Sequence, residues 1–178
     1  MIGKASPPGN PRRPRVPRPP VPAAGAAGST TLPELTVRPA RRSDLDAVIA
    51  LDAGETGIVK REYFRTLFKR YGEGQAAERQ FLVAISGSEV VGFVIGEVRD
   101  WEFGSPPCGW VFAINVNPRA RQSGAGTRLL GAICAGFRKA GARTVRTILA
   151  RENTLILSFF RSQGMMAAPF IPLELDLE

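Results

Sequence analysis

Hydrophobic residues recur along the chain with periods that change abruptly, and each change marks an element. "LTVRPA", from Leu35, alternates as a short strand does. "RRSDLDAVIALDAG" shifts to helical spacing, with Ser43 and Asp46 in the register of a capping box and Gly54 as the stop. In "KREYFRTLFKRYG", Tyr63, Phe64, Leu67, Phe68 and Tyr71 recur at three- and four-residue steps, which predicts a second helix with one broad apolar face. "RQFLVAISGSEVVGFVIGEVRD" is β-rich on both sides of "SGSE", a hairpin whose turn holds the glycine that tight turns need. After the loop "WEFGSPPCG" come the strand "WVFAINV", the turn "NPRARQSGAG" and the helix "TRLLGAICAGFRKAGA". "ARTVRTILA" predicts another strand, "NTLILSFFRSQG" a helix with Asn153 as N-cap and Gly164 as stop, and "MMAAPFIPLELDLE" a last strand or strand pair.

The resulting order, β-α-α-β-β-β-α-β-α-β, has no repeat and no internal linker. It predicts one α/β domain over residues 34–178, with a mixed, mostly antiparallel sheet of six or seven strands flanked by about four helices.

Composition changes the picture at the N-terminus. Of the net charge of +8, half lies up to Glu34, on Lys4, Arg12, Arg13, Arg15 and Arg18. Residues 1–33 are too rich in Pro, Gly and Ala to bury a core, so they are expected to be a disordered leader with polyproline character. It could be a solvated segment, an arm for nucleic acid such as RNA or a ribosome surface, or upstream sequence from a mistaken start codon. No apolar stretch approaches the ~18 residues of a membrane helix, and Cys108 and Cys134 lie in no metal-ligand spacing. The expectation is a cytoplasmic protein with no membrane partner and no metal centre, a monomer or homodimer.

The turn carries the candidate chemistry. A strand feeding a glycine-rich turn and a helix N-terminus presents unpaired backbone N–H groups at the positive end of a helix dipole, which suits phosphate. Gly124 and Gly126 permit close backbone approach, Arg121 adds a cation, and Ser123 and Thr127 add hydroxyls. A P-loop and a dinucleotide fingerprint both fail, the second because Leu129 stands where a third small residue belongs. A purely structural role for the glycines stays open at this point.

The run from Val116 through Pro118 and Arg121 to Gly124 and Gly126 resembles the V-x-P-x-x-[RQ]-x-x-G-x-[GA] signature of the GNAT superfamily of N-acetyltransferases. Asn153, Phe159, Phe160, Gly164 and Met165 resemble that family's second segment, N-x-x-A-x-x-[LF]-Y-x-x-x-G-F. The resemblance covers the chain from about Leu35 onward. It implies a sheet splayed beside the strand ending at Val116, with acetyl-CoA as co-substrate in the cleft. Pantetheine would pair with the backbone of Ile114, Asn115 and Val116. The pyrophosphate would meet Arg121, Gln122, Ser123, Gly124, Ala125, Gly126 and Thr127, with Asn153 and Phe160 lining the far side.

The chain departs from the family where protons move. Phe160 stands at the position of the usual tyrosine acid, Trp110 and Ile148 stand where branches of the family carry a glutamate base, and there is no histidine. Candidate catalytic residues are therefore Glu97 and Glu102, with Tyr63, Tyr71 or a water as alternatives. Asp100, Trp101 and Glu102 sit on a loop that the resemblance places at the acceptor cleft. Neutralising a lysine amine of pKa about 10.4 costs roughly 4 to 5 kcal/mol at neutral pH, and an α-amine of about 7.8 only about 1. A weak base favours a small amine or a peptide or protein N-terminus. The expected function is transfer of the acetyl group of acetyl-CoA to an amine by direct attack. The alternative is a non-catalytic acyl-CoA-binding regulator.

Overall fold

The computed structural model describes residues 34–74 and 77–177. The leader assigned to residues 1–33 lies outside the described residues. The sheet has five strands, β1 (Leu35–Pro39), β2 (Arg79–Ser86), β3 (Glu89–Arg99), β4 (Cys108–Val116) and β5 (Val145–Arg146), in that spatial order. All neighbours are antiparallel except β4 and β5. The helices are α1 (Leu45–Thr56), α2 (Arg61–Leu67), α3 (Ala125–Lys139) and α4 (Thr154–Ser162), and α2 runs on into a π-helical turn over Phe68–Gly72.

β2 and β3 join through Gly87 and Ser88, with Gly87 at φ 60° in the first turn position, where only a residue tolerant of positive φ fits. Each face of the sheet carries its own core. Leu129, Leu130, Ile133 and Phe137 of α3 pack on one face, and Phe64, Phe68 and Val48 of the α1–α2 layer pack on the other. Full burial of each large apolar side chain contributes about 1.5–3 kcal/mol, so both layers are firmly fixed to the strands they cover. α3 comes close because Gly96 and Gly109, on adjacent strands, leave a notch for the Phe137 ring. A Cβ on Gly109 would fall 2.2 Å from that ring.

α1 runs through Gly54 and stops at Gly57, at φ 71°, and two further sequence expectations change. α1 is entered through a 3₁₀ turn over Arg42–Asp44 whose capping box is closed by Asp44, its carboxylate accepting from the Arg41 N–H at 2.7 Å and from both terminal guanidinium nitrogens of Arg38 at 2.7 and 2.9 Å. Ser43 and Asp46 do not form that box. The second change is the strand count, five and not six or seven. Residues 165–177 form no strand: Pro169 and Pro172 remove ladder donors, and Ile171, Leu173, Leu175 and Leu177 stay exposed despite their strand-like alternation. "ARTVRTILA" likewise yields only the two residues of β5.

Candidate active site

β4 organises the site through two irregularities. It pairs with β5 only at Gly109 and Trp110, so among the described residues its edge from Val111 to Val116 has a strand partner on the β3 side alone. The sheet is open there. It also carries a bulge: Ile95 opposes Ala113 and Gly96 opposes Val111, which leaves Phe112 as the extra residue. Val111 therefore packs with the α3 core, while Phe112 and Ala113 both turn to the α1–α2 face.

Beside the open edge lies a cleft of about 500 Å3. Ile114, Asn115 and Val116 form one wall, Arg121, Gly126 and Thr127 the end, and Asn153 with one face of α4 the other wall. The local sequence explains each placement. Asn117 accepts from the Arg119 N–H at 3.0 Å and, with Pro118 behind it, starts a 3₁₀ turn over Pro118–Ser123. Gly124, at φ 81°, takes the left-handed conformation that ends this turn and starts α3. Gly126 packs against α4, because a Cβ there would stand 3.0 Å from the Phe159 ring. Asn153 caps α4 by accepting from the Ile156 N–H at 3.2 Å. At the other end of α4, Gly164 takes φ 85° and Met165 N–H returns to the Phe160 carbonyl, a Schellman closure.

The structure thus brings Ile114, Asn115, Val116, Arg121, Gly126, Thr127 and Asn153 to one cleft. Gln122 and Ser123 are exposed on the 3₁₀ turn, Ser123 donating to the Ala120 carbonyl, and Ala125 is buried. Phe160 differs from expectation: it is 2% exposed and points into the α3 core, and its neighbour Phe159 lines the cleft. The helical spacing of Leu155, Phe159 and Ser162 carried that information. Glu55, unforeseen, closes the cleft from α1, its carboxylate 2.9 Å from Arg121, while Arg121 Nε donates to the Val116 carbonyl. Asn115 reaches the other way and donates to the Leu51 carbonyl at 3.2 Å, tying β4 to α1.

A second cavity, of about 420 Å3, opens on the α2 side between Tyr63, Arg70, Tyr71, Glu97, Arg99 and Phe112. Glu97 is the one carboxylate in its lining. Its Oε2 accepts from the Tyr71 hydroxyl at 2.9 Å and its Oε1 from Arg99 Nε at 3.1 Å, and its side chain is 16% exposed. Burial first, and then the hydrogen bond to Glu97, push the Tyr71 phenol above its ordinary value, so this hydroxyl remains a donor at neutral pH. The π-helical turn places Arg70 and Tyr71 side by side at this cavity, a local geometry often found at functional sites. Glu102 sits outside the lining, on a 3₁₀ turn, 3.6 Å from Arg99. Its loop holds two aromatic residues with positive φ, Trp101 at 51° and Phe103 at 48°, both exposed. Asp100 is exposed and Tyr63 half-exposed. Burial raises the Cys134 thiol, Cys108 is buried, and neither lines either cavity.

An open mixed sheet, a glycine turn at a helix N-terminus and a cleft along a strand edge that is unpaired among the described residues make up this α/β architecture. Residues 45–165 match the family model described as "Acetyltransferase (GNAT) family", and the chain belongs to that family. No curated protein matches it in sequence. Solved structures share the fold: the aminoglycoside N-acetyltransferase AAC(6')-Iy in complex with CoA has a TM-score of 0.71 at 17% identity, over 81% of this chain and 95% of its own. The 6'-N-acetyltransferase AAC(6')-Ih from Acinetobacter baumannii has 0.68 at 15%, over 82% and 100%. A transcriptional regulator from Bacillus halodurans C-125 has 0.67 at 18%, over 81% and 100%. No helix among the described residues is long and apolar enough to cross a membrane.

Proposed function

We propose that this acetyl-CoA-dependent N-acetyltransferase passes the acetyl group directly to a small amine or a peptide or protein N-terminus, with Glu97 as the proton acceptor. The observation that carries the reading is the arrangement of two cavities on one strand. The cofactor cleft follows the unpaired edge at Ile114 to Val116, and the Glu97 cavity opens beside the bulge at Phe112. The residues fit the co-substrate: a strand edge at Ile114 and Asn115 for an amide-bearing arm, and the amides of the turn through Thr127, with Arg121 beside the Val116 carbonyl, for a pyrophosphate. Acetyl-CoA supplies the reactive thioester carbonyl.

Glu97 takes a proton from the incoming amine, directly or through one water, as the amine nitrogen bonds to the carbonyl carbon and the carbon–sulfur bond breaks. Tyr71 and Arg99 hold the carboxylate in place. Tyr71, whose hydroxyl bonds to that carboxylate, gives its proton to the departing thiolate and regains one from the protonated Glu97, taking over the donor role that Phe160 lacks. Glu102 acts through Arg99, as a positioning residue. The two thiols fit a reducing compartment, and the proposed location is the cytoplasm.

The test is calorimetric titration with acetyl-CoA and with dephosphorylated pantetheine, followed by thiol release with a panel of amines of graded pKa. Binding that depends on the pyrophosphate, with turnover favouring amines of low pKa, supports the reading. Absence of binding refutes the cleft assignment. Binding without turnover leaves a non-catalytic regulator, and a preference for lysine side chains refutes the acceptor assignment.

A further inference from the structure

The Glu97 cavity carries more positive than negative charge. Among its lining residues the ionic groups are Arg70, Arg99 and Glu97. Glu97 is already engaged at both oxygens, by the Tyr71 hydroxyl and by Arg99, with Arg70 4.0 Å away. Arg79 adds a third cation: it pairs with Glu97 in the β2–β3 register and so projects from the same face, and its charge is felt at Tyr71. The other carboxylate at hand, Glu102, lies outside the lining against Arg99. Of the two cations that line the cavity, Arg70 is the less committed, since Arg99 already holds Glu97 and Glu102. Its guanidinium stacks 5.4 Å from the Tyr71 ring centroid, its side chain is 60% exposed, and among the described residues it makes no side-chain hydrogen bond.

From this arrangement we infer that the acceptor carries a carboxylate as well as the reacting amine, in the manner of a short peptide with a free C-terminus. This deepens the acetyl-transfer reading and rests on it. The amine lies at Glu97, and the carboxylate meets the Arg70 guanidinium fork, whose planar donors match it in bidentate fashion. A cavity of about 420 Å3 suits an acceptor of dipeptide size. A polycationic amine meets the opposite situation: it needs several carboxylates around its ammonium groups, and the lining holds one, already paired.

Glycylglycine and glycylglycinamide test this, because both present an α-amine and differ in the far charge. With the full chain and saturating acetyl-CoA, kcat/KM is measured for each, for a polycationic aminoglycoside, and for both dipeptides with Arg70→Gln and Arg70→Lys. Wild type should favour the free carboxylate by roughly five- to ten-fold, the scale of a partly exposed charge-assisted contact. Arg70→Gln should bring that ratio close to one, Arg70→Lys should restore part of it, and the ratio should shrink at high salt. Equal or better turnover of the amide or of the aminoglycoside overturns the inference and leaves acetyl transfer standing. Calorimetric binding of N-acetylglycylglycine against its amide reads the same preference without chemistry. A carboxylate preference in binding with no turnover of any amine supports the cavity assignment and refutes acetyl transfer; no preference there overturns the inference.

Discussion

Replacing Tyr71 by Phe isolates one oxygen. The ring keeps its edge contact with Phe112, at 5.2 Å between centroids, and its place under Arg70, so the change removes little besides the hydroxyl that donates to Glu97 at 2.9 Å. A hydrogen bond to a charged group is worth about 1.5–3 kcal/mol when buried. Glu97 is not fully buried, and its other oxygen keeps Arg99 at 3.1 Å, so the lower end applies. About 1.5 kcal/mol corresponds to roughly a ten-fold change in rate. The assay is kcat/KM by thiol release from about pH 6 to about pH 9, alongside the melting temperature. Tyr71→Phe should lower kcat/KM about ten-fold, mostly in kcat. A variant within two-fold of wild type at an unchanged melting temperature would refute the Tyr71–Glu97 pair as a catalytic unit and leave it a packing contact.

Other substitutions probe the supports of the site. Burial alone would raise the Asp44 carboxyl, but the bonds from Arg38 and Arg41 outweigh it and hold it below its ordinary value. Its stabilising contribution is therefore present above the unfolded value of about 3.9 and is lost as pH falls through the lower folded value. Asp44→Asn should cost about 2 kcal/mol near neutral pH, and its denaturation midpoint should converge with wild type below about pH 4; a gap constant with pH would contradict the ion pair. Gly124→Ala should weaken CoA binding while Gly124→Asn largely preserves it, because at φ 81° asparagine tolerates the left-handed turn and a Cβ there meets nothing within 4 Å. Equal titrations for the two would deny the turn its role. Gly109→Ala should destabilise the fold by at least roughly 1–3 kcal/mol by driving a Cβ into Phe137, with partial recovery on adding Phe137→Leu, as read by urea denaturation.

Much of the fold was legible because local signals agreed with the tertiary outcome. β2 and β3 declare themselves by apolar runs around a two-residue glycine turn, and α4 by an asparagine cap and a glycine stop. The tail misled for a physical reason: Ile171 to Leu177 alternate as a strand does, yet alternation describes a face and does not supply a neighbour to pair with. The strand-to-helix turn at 117–126 could be read because its residues are contiguous. Glu97 with Arg99, two apart on one strand, could also be placed on one face. Tyr71 against Glu97 could not, since the pair depends on how a π-helical turn rotates the end of α2. Nor could the cap at Asp44, where Arg38 from the preceding strand decides which acid is used.

The single extra residue at Phe112 also bears on how this protein can change over time. Upstream of it, Trp110 shares a face with Arg99; downstream, Ala113 and Asn115 have taken over that face, so odd and even positions exchange roles within one strand. Drift beside the Glu97 cavity can therefore proceed in one phase of the strand while the end along the 114–116 cleft is held in the other. Loss or gain of one residue between them would put the two halves out of step, exchanging core and cavity side chains at once.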